Sequence, residues 1–211
     1  MSDVFIKYKI KGTFTDKVCG GLPADPNMIE THLALKGITP DTIEAADMLI
    51  RTTQRLSTYE GIVDKNTNLL GKDDVGIFLN GYQFMAGLRE SMSVQKSITS
   101  WRSKMQRGVR VMPQKVYLMR NGTPLKQADG TIQTVVHAED IRGKPQTSLK
   151  RTEYVEKADF EFEVWVAKEK GTPILSTKVL RNLLSHCEVT GFGALHTMGY
   201  GQCKLSIVSE R

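Results

Sequence analysis

Cysteine is scarce in this chain of 211 residues: Cys19, Cys187 and Cys203 are scattered and form no CxxC pair. That excludes a disulfide framework and the usual zinc-ribbon spacing. No run of about 18 apolar residues occurs, so no membrane-spanning helix is expected. The opening MSDVFIKYKIKG lacks the apolar block of a signal peptide, and the expected location is therefore cytoplasmic. Nucleotide-binding fingerprints are missing as well, because GKDDVG does not meet GxxxxGK[ST]. With 40% hydrophobic and 25% charged residues the composition is globular, and wholesale disorder is excluded.

The most informative absence is local. Between Ser91 and Ala128 there is no Asp or Glu, while eight basic residues occur: Lys96, Arg102, Lys104, Arg107, Arg110, Lys115, Arg120 and Lys126. The net charge is +6, so this stretch of +8 stands against 21 basic and 23 acidic residues elsewhere. Concentrated positive charge of this kind suits a polyanion, most often nucleic acid.

What is present reads as α+β. Val4, Ile6, Tyr8 and Ile10 alternate with Phe5, Lys7, Lys9 and Lys11, the period of a half-buried strand with a basic outer face. Helices are expected from about Pro26 and after Asp41. Val75–Leu79 reads as a buried strand, followed after Asn80-Gly81 by a helix over Tyr82–Ser93. Asn121-Gly122 and Asp129-Gly130 are hairpin signals flanked by VYLMR and TIQTVVH, and Arg142–Lys150 reads as a loop. ADFEFEVWVAK is a clear strand, Ser176 caps STKVLRNLLSHCE, and the strand QCKLSIVS closes the chain.

Between that helix and strand lies GFGALHTMGYG, with Gly191, Gly193, Gly199 and Gly201. The order helix–loop–strand is the reverse of a dinucleotide fingerprint. The segment resembles the C-terminal glycine-rich loop of the RAMP superfamily, the repeat-associated RNA-binding proteins of CRISPR–Cas systems. It matches at Gly191, Gly193, Gly199, Tyr200 and Gly201, with His196 where a basic residue is usual. FLNGYQFMAGLRESM is similar to the strand–Pro-Gly–helix motif of the effector backbone subunits. Leu88 and Arg89 are in register, Asn80 replaces the proline, and the family's lysine is absent. The start GGLPADPNMIE also resembles bacteriophage proteins of unassigned role.

The resemblance implies a ferredoxin-like, RRM-type antiparallel sheet in a single RAMP-like domain, residues 1–211, with a basic insertion at about 91–150. It implies binding of single-stranded RNA (or DNA), and self-association or assembly with other complex subunits. Contacts are expected at Lys7, Lys9, Arg89, Trp101, Arg102, Lys104, Arg107, Arg110, Gly191, Gly193, His196, Gly199 and Gly201. Amides and cations would hold phosphates there, and aromatics would stack unpaired bases. Trp101 can equally be an anchor to the core.

Some family members are metal-independent endoribonucleases, for which His32 or His196 would be the acid/base. A third reading is a phage factor whose basic patch meets an acidic protein. No cofactor and no metal are expected. His186, Cys187, His196 and Cys203 fit no zinc spacing, Cys187 and Cys203 belong in the core, and Asp73-Asp74 and Glu139-Asp140 read as solvated pairs.

Overall fold

Alternation along IKYKIKGTF and FEFEVWVA puts every second side chain on one sheet face, and that face is where the core forms. The computed structural model describes residues 4–23, 67–139 and 145–211. The expected helices after Pro26 and Asp41 lie outside the described residues. Strands β1 (Phe5–Phe14), β2 (Lys17–Cys19), β3 (Leu22–Pro23), β4 (Thr67–Leu69), β5 (Gly71–Lys72) and β6 (Ile77–Asn80) lead into helices α1 (Gly81–Gln95) and α2 (Trp101–Gly108). Then follow β7 (Val109–Met112), β8 (Lys115–Tyr117), β9 (Met119–Arg120), β10 (Thr123–Pro124), β11 (Gly130–Glu139), β12 (Pro145–Glu156), β13 (Asp159–Glu169) and β14 (Thr172–Pro173). Helix α3 (Thr177–Thr190), a 3-10 turn at His196–Met198 and β15 (Cys203–Glu210) end the chain. The class is α+β with antiparallel sheets, as expected.

In the main sheet β1 lies between β13 and β15, antiparallel to both, and β7 pairs antiparallel with the far side of β13. Tyr8, Ile10, Phe14, Phe160, Phe162, Val164, Val166, Val109 and Val111 point to one face and are buried. Against them α1 packs Phe84, Leu88 and Met92, spaced four apart so that they share a helix face, and α3 packs Leu180, Leu183 and Leu184. Phe84 is central, 5.4 Å from Phe160, 4.8 Å from Phe162 and 4.6 Å from Phe192 between ring centroids. Truncating such a side chain to alanine typically costs about 3–5 kcal/mol.

Local signals set the helix ends. Asn80 and Gln83 form a capping box, with the Asn80 amide donating to Gln83 Oε1 at 2.9 Å. Ser176 Oγ accepts from the Val179 amide at 3.3 Å, as its position before the helix implied. On β15 the Leu205 amide, turned away from β1, donates to Glu188 Oε1 at 2.7 Å.

Three expectations need correction. Asn121-Gly122 does turn a two-residue hairpin, β9–β10, with both φ values positive at 53° and 74°. Asp129-Gly130 turns none: the Asp129 carboxylate accepts from Arg120 Nη2 at 2.7 Å and from the Glu156 amide at 2.8 Å. TIQTVVH pairs instead with β12, so residues 145–150, read as loop, are one arm of a long β11–β12 ribbon. Its arms are polar, which hides them from a hydrophobic-pattern reading. Within the basic segment, β7 is a strand of the main sheet. Asp73 is no solvated acid, as its side chain is only 5% exposed. It accepts from Lys115 Nζ at 3.1 Å, Tyr117 Oη at 2.9 Å and the Val75 amide at 3.0 Å.

Candidate nucleic-acid interface

The glycine loop is sewn onto β2. Gly191 ends α3, its amide donating to the Cys187 carbonyl at 2.8 Å, and Phe192 then drops into the core. The Phe192 amide donates to the Gly201 carbonyl at 3.0 Å, the Ala194 amide to Cys19 at 3.0 Å, and the Gly201 amide to Lys17 at 2.7 Å. A Cβ on Gly201 would collide with the Phe192 carbonyl oxygen, and one on Gly193 would lie 2.7 Å from the Cys19 carbonyl oxygen. Gly199 differs, with φ at 86° and nothing within 4 Å of a Cβ placed there. Most of the loop's glycines are therefore needed for its own close backbone packing.

That packing shapes a cleft of about 220 Å³ between the loop, Gly21 and one face of α1. Its walls include Gly21, Tyr82, Gln83, Ala86, Gly87, Glu90, Gly193 and His196. The two sequence motifs meet directly, since a Cβ on Gly87 would lie 2.8 Å from the Phe192 ring. Burial pushes the Tyr82 phenol up to about 12, so it remains a neutral hydroxyl. Among the described residues no lysine or arginine lines the cleft, and Glu90 brings a carboxylate. Such a lining can hydrogen-bond neutral polar groups.

The expected cations are dispersed. Lys7 and Lys9 lie on the sheet face opposite the helices, Lys7 Nζ 4.4 Å above the Trp165 ring and Lys9 Nζ 2.7 Å from Glu161. Arg89 is exposed on α1, and Arg102, Arg107 and Arg110 are exposed on α2 and β7, with Lys104 half-buried. Trp101 is half-buried and packs against the core, and the Arg102 guanidinium sits 5.4 Å from its ring. Four residues of the basic tract are engaged within the fold: Lys115 by Asp73, Arg120 by Asp129, Lys126 by the carbonyls of Asp74 and Val75, and Arg110 by those of Gln106 and Val109.

The structure thus joins Gly191, Gly193 and His196 in one cleft, leaves Gly199 and Gly201 out of its lining, and does not bring the expected basic residues there. His32 lies outside the described residues. Cys187 and Cys203 are buried as expected, and burial pushes the Cys187 thiol up to about 12 and raises that of Cys203 further. Ser91 Oγ lies 3.1 Å from Cys187 Sγ and 3.0 Å from His186 Nδ1, joining α1 to α3. Sequence reasoning missed Gly21, Tyr82, Gln83 and Glu90 as cleft residues. The adjacent small residues Ala86 and Gly87 on an otherwise well-packed helix were the available signal. No helix among the described residues is long and apolar enough to cross a membrane.

No protein-family model matches the chain. No curated protein matches it either. Solved structures do. A chain in the cryo-EM structure of the Type III-B Cmr-beta bound to cognate target RNA superimposes with a TM-score of 0.52 at 11% identity, over 98% of this chain and 60% of that one. The present chain thus spans little more than half the length of that neighbour. A chain of a Type IV-B CRISPR complex aligns with a TM-score of 0.45 at 8% identity, covering 96% and 90%. The likeness is one of fold: over nearly its whole length the chain shares the architecture of a chain in the Type III-B Cmr-beta structure.

Proposed function

We propose that this chain is a RAMP-type subunit that binds single-stranded nucleic acid, RNA in the first instance, as a single domain over residues 1–211. The proposed core is ferredoxin-like. Strand–helix–strand halves β1–α1–β7 and β13–α3–β15 interleave in the order β15–β1–β13–β7, which supports that assignment. The observation that carries the functional reading is convergence. Gly21, the first half of α1 and the loop after α3, remote in sequence, close around one cleft lined by the Tyr82 hydroxyl, the Gln83 amide, the Glu90 carboxylate, the His196 ring and glycine backbone. Such a surface takes an unstacked nucleotide, while the tract of Arg102, Lys104 and Arg107 supplies the phosphate attraction.

Assembly with other subunits, or with further copies, belongs to the same proposal. On the β11–β12 ribbon, Val135 and Leu149 are direct cross-strand partners, and each is 55% exposed. An apolar pair on a polar ribbon supports a protein contact there.

The test is binding of a labelled single-stranded RNA 20-mer, and of the matching DNA, across a salt series. A linear fall of log affinity with log salt is expected, with loss of binding in Gln83→Ala and Tyr82→Ala variants that still fold. Absence of binding to either strand at low salt overturns the proposal. RNA cleavage in EDTA that disappears in His196→Ala would make the chain an endoribonuclease.

A further inference from the structure

The sheet face turned away from the helices carries a row that the register alone reveals. Lys7 on β1 is the direct partner of Trp165 on β13, and Trp165 is the direct partner of Arg110 on β7. All three side chains leave the sheet on the same side, because their neighbours Tyr8, Val164, Val166, Val109 and Val111 are buried against the helices. Cation, indole and cation therefore stand in line across three strands, with the Phe5 ring 6.2 Å from Trp165. The face is open to solvent: the Lys9 and Glu161 side chains beside this row are 37% and 33% exposed.

The charges on this face are unevenly satisfied. Glu161 is held by Lys9 at 2.7 Å and by Lys11 at 2.9 Å. Glu163 accepts from the Trp165 indole N–H at 2.7 Å, which fixes the ring's orientation. Lys7 and Arg110 have no carboxylate partner among the described residues. The Lys7 ammonium rests only over the indole face, and Arg110 Nη1 donates to the carbonyls of Gln106 at 2.7 Å and Val109 at 2.9 Å. Two uncompensated cations thus flank one aromatic plane whose edge is already tethered.

We propose that this row is a second contact for single-stranded nucleic acid, separate from the cleft and on the opposite side of the sheet. One unpaired base stacks on Trp165, displacing the Lys7 ammonium sideways, and Lys7 and Arg110 take the phosphates on either side of it. An acidic polypeptide would find the two cations but has no use for the oriented indole, so the arrangement favours a nucleotide.

The test uses oligouridylate of 15 residues as probe. Of the two tryptophans in the chain, Trp101→Phe leaves Trp165 as the reporter, and its emission is expected to be quenched as oligouridylate binds. Trp165→Ala is expected to weaken binding about tenfold, whereas Trp165→Phe retains most of the affinity. Lys7→Gln with Arg110→Gln is expected to flatten the log affinity against log salt slope by about 1.4, two phosphates' worth for a single strand. Melting curves identify any variant that has lost its fold, and the lysine and arginine substitutions on the surface keep the test alive if Trp165→Ala does. Unchanged emission and unchanged affinity on binding overturn the proposal, as does quenching by polyglutamate with none by oligouridylate. The cleft is tested independently: binding weakened by Gln83→Ala but not by Trp165→Ala removes this surface and leaves the cleft reading intact, and the converse result does the reverse.

Discussion

Phe192 and Gly201 face each other backbone to backbone. The amide of the first donates to the carbonyl of the second at 3.0 Å, and a Cβ on Gly201 has nowhere to go but into the carbonyl oxygen of Phe192. Gly199, two residues earlier, shares the left-handed backbone but faces open space. The two glycines separate packing from conformation. Gly201→Ala is expected to destabilise the protein by about 3 kcal/mol, combining backbone strain with overpacking. Gly199→Ala is expected to cost about 1 kcal/mol, from the left-handed backbone alone. Urea unfolding of the pair checks the difference, and equal costs would contradict it.

Stability is expected to fall on the acid side. Asp73 loses some ionisation tendency to burial, but hydrogen bonds from Tyr117, Lys115 and the Gly76 amide outweigh this and hold its carboxyl below the usual value of 3.8. Lys9 and Lys11 likewise hold Glu161 below 4.5, and Arg120 holds Asp129 below 3.8. Each group binds its proton less readily folded than unfolded. Its contribution is therefore full above those usual values and is lost as pH drops through them toward the folded ones. Asp73→Asn is expected to cost about 2 kcal/mol at pH 7 and to make the decline between pH 5 and 3 shallower, by about that amount at most. A wild-type decline that the substitution leaves unaltered would show that Asp73 is not part of it.

Electrostatic attraction to nucleic acid is expected to come from α2. Replacing Arg102, Lys104 and Arg107 together by glutamine should reduce the salt slope for a single strand by about 2 while leaving the melting temperature nearly unchanged. These side chains have no ion-pair partner among the described residues, so little folding energy depends on them. A slope equal to that of the parent protein would assign the phosphate contacts elsewhere.

Assembly is expected to depend on the ribbon. Val135→Glu with Leu149→Glu places like charges opposite each other on a pair whose members are each 55% exposed, where water and salt screen much of the repulsion. Light scattering should show a smaller particle if the ribbon is a contact between copies, and the same mass as the parent at all concentrations would reject that role.

Much of the frame was legible because it is periodic. Tyr8-Ile10 and Phe160-Phe162-Val164 alternate, and Ser176 precedes an amphipathic run, so β1, β13 and α3 announce themselves. Helix α2 did not, since only Met105 and Gly108 among its residues are buried and no apolar stripe shows. Strand β12 hid for a similar reason: its outer half is polar and finds its partner across a hairpin, not in the core. The cleft was half visible. The glycine loop and α1 were marked, but their meeting with Gly21 depends on tertiary packing. The row Lys7–Trp165–Arg110 is set by strand register, and local spacing carries no trace of it.

The bond from the Leu205 amide to Glu188 Oε1 has a consequence for how the protein behaves in a crowd. Among the described residues β15 has no strand on its outer side, and such an edge offers donors and acceptors to any extended chain that drifts past. A carboxylate seated on the middle of that row occupies a donor that an incoming strand would need and meets its carbonyl oxygens with negative charge. Edge-to-edge fibres are thereby discouraged. Glu188→Ala, harmless on a list of buried contacts, is the substitution that would leave this protein folded and prone to aggregate.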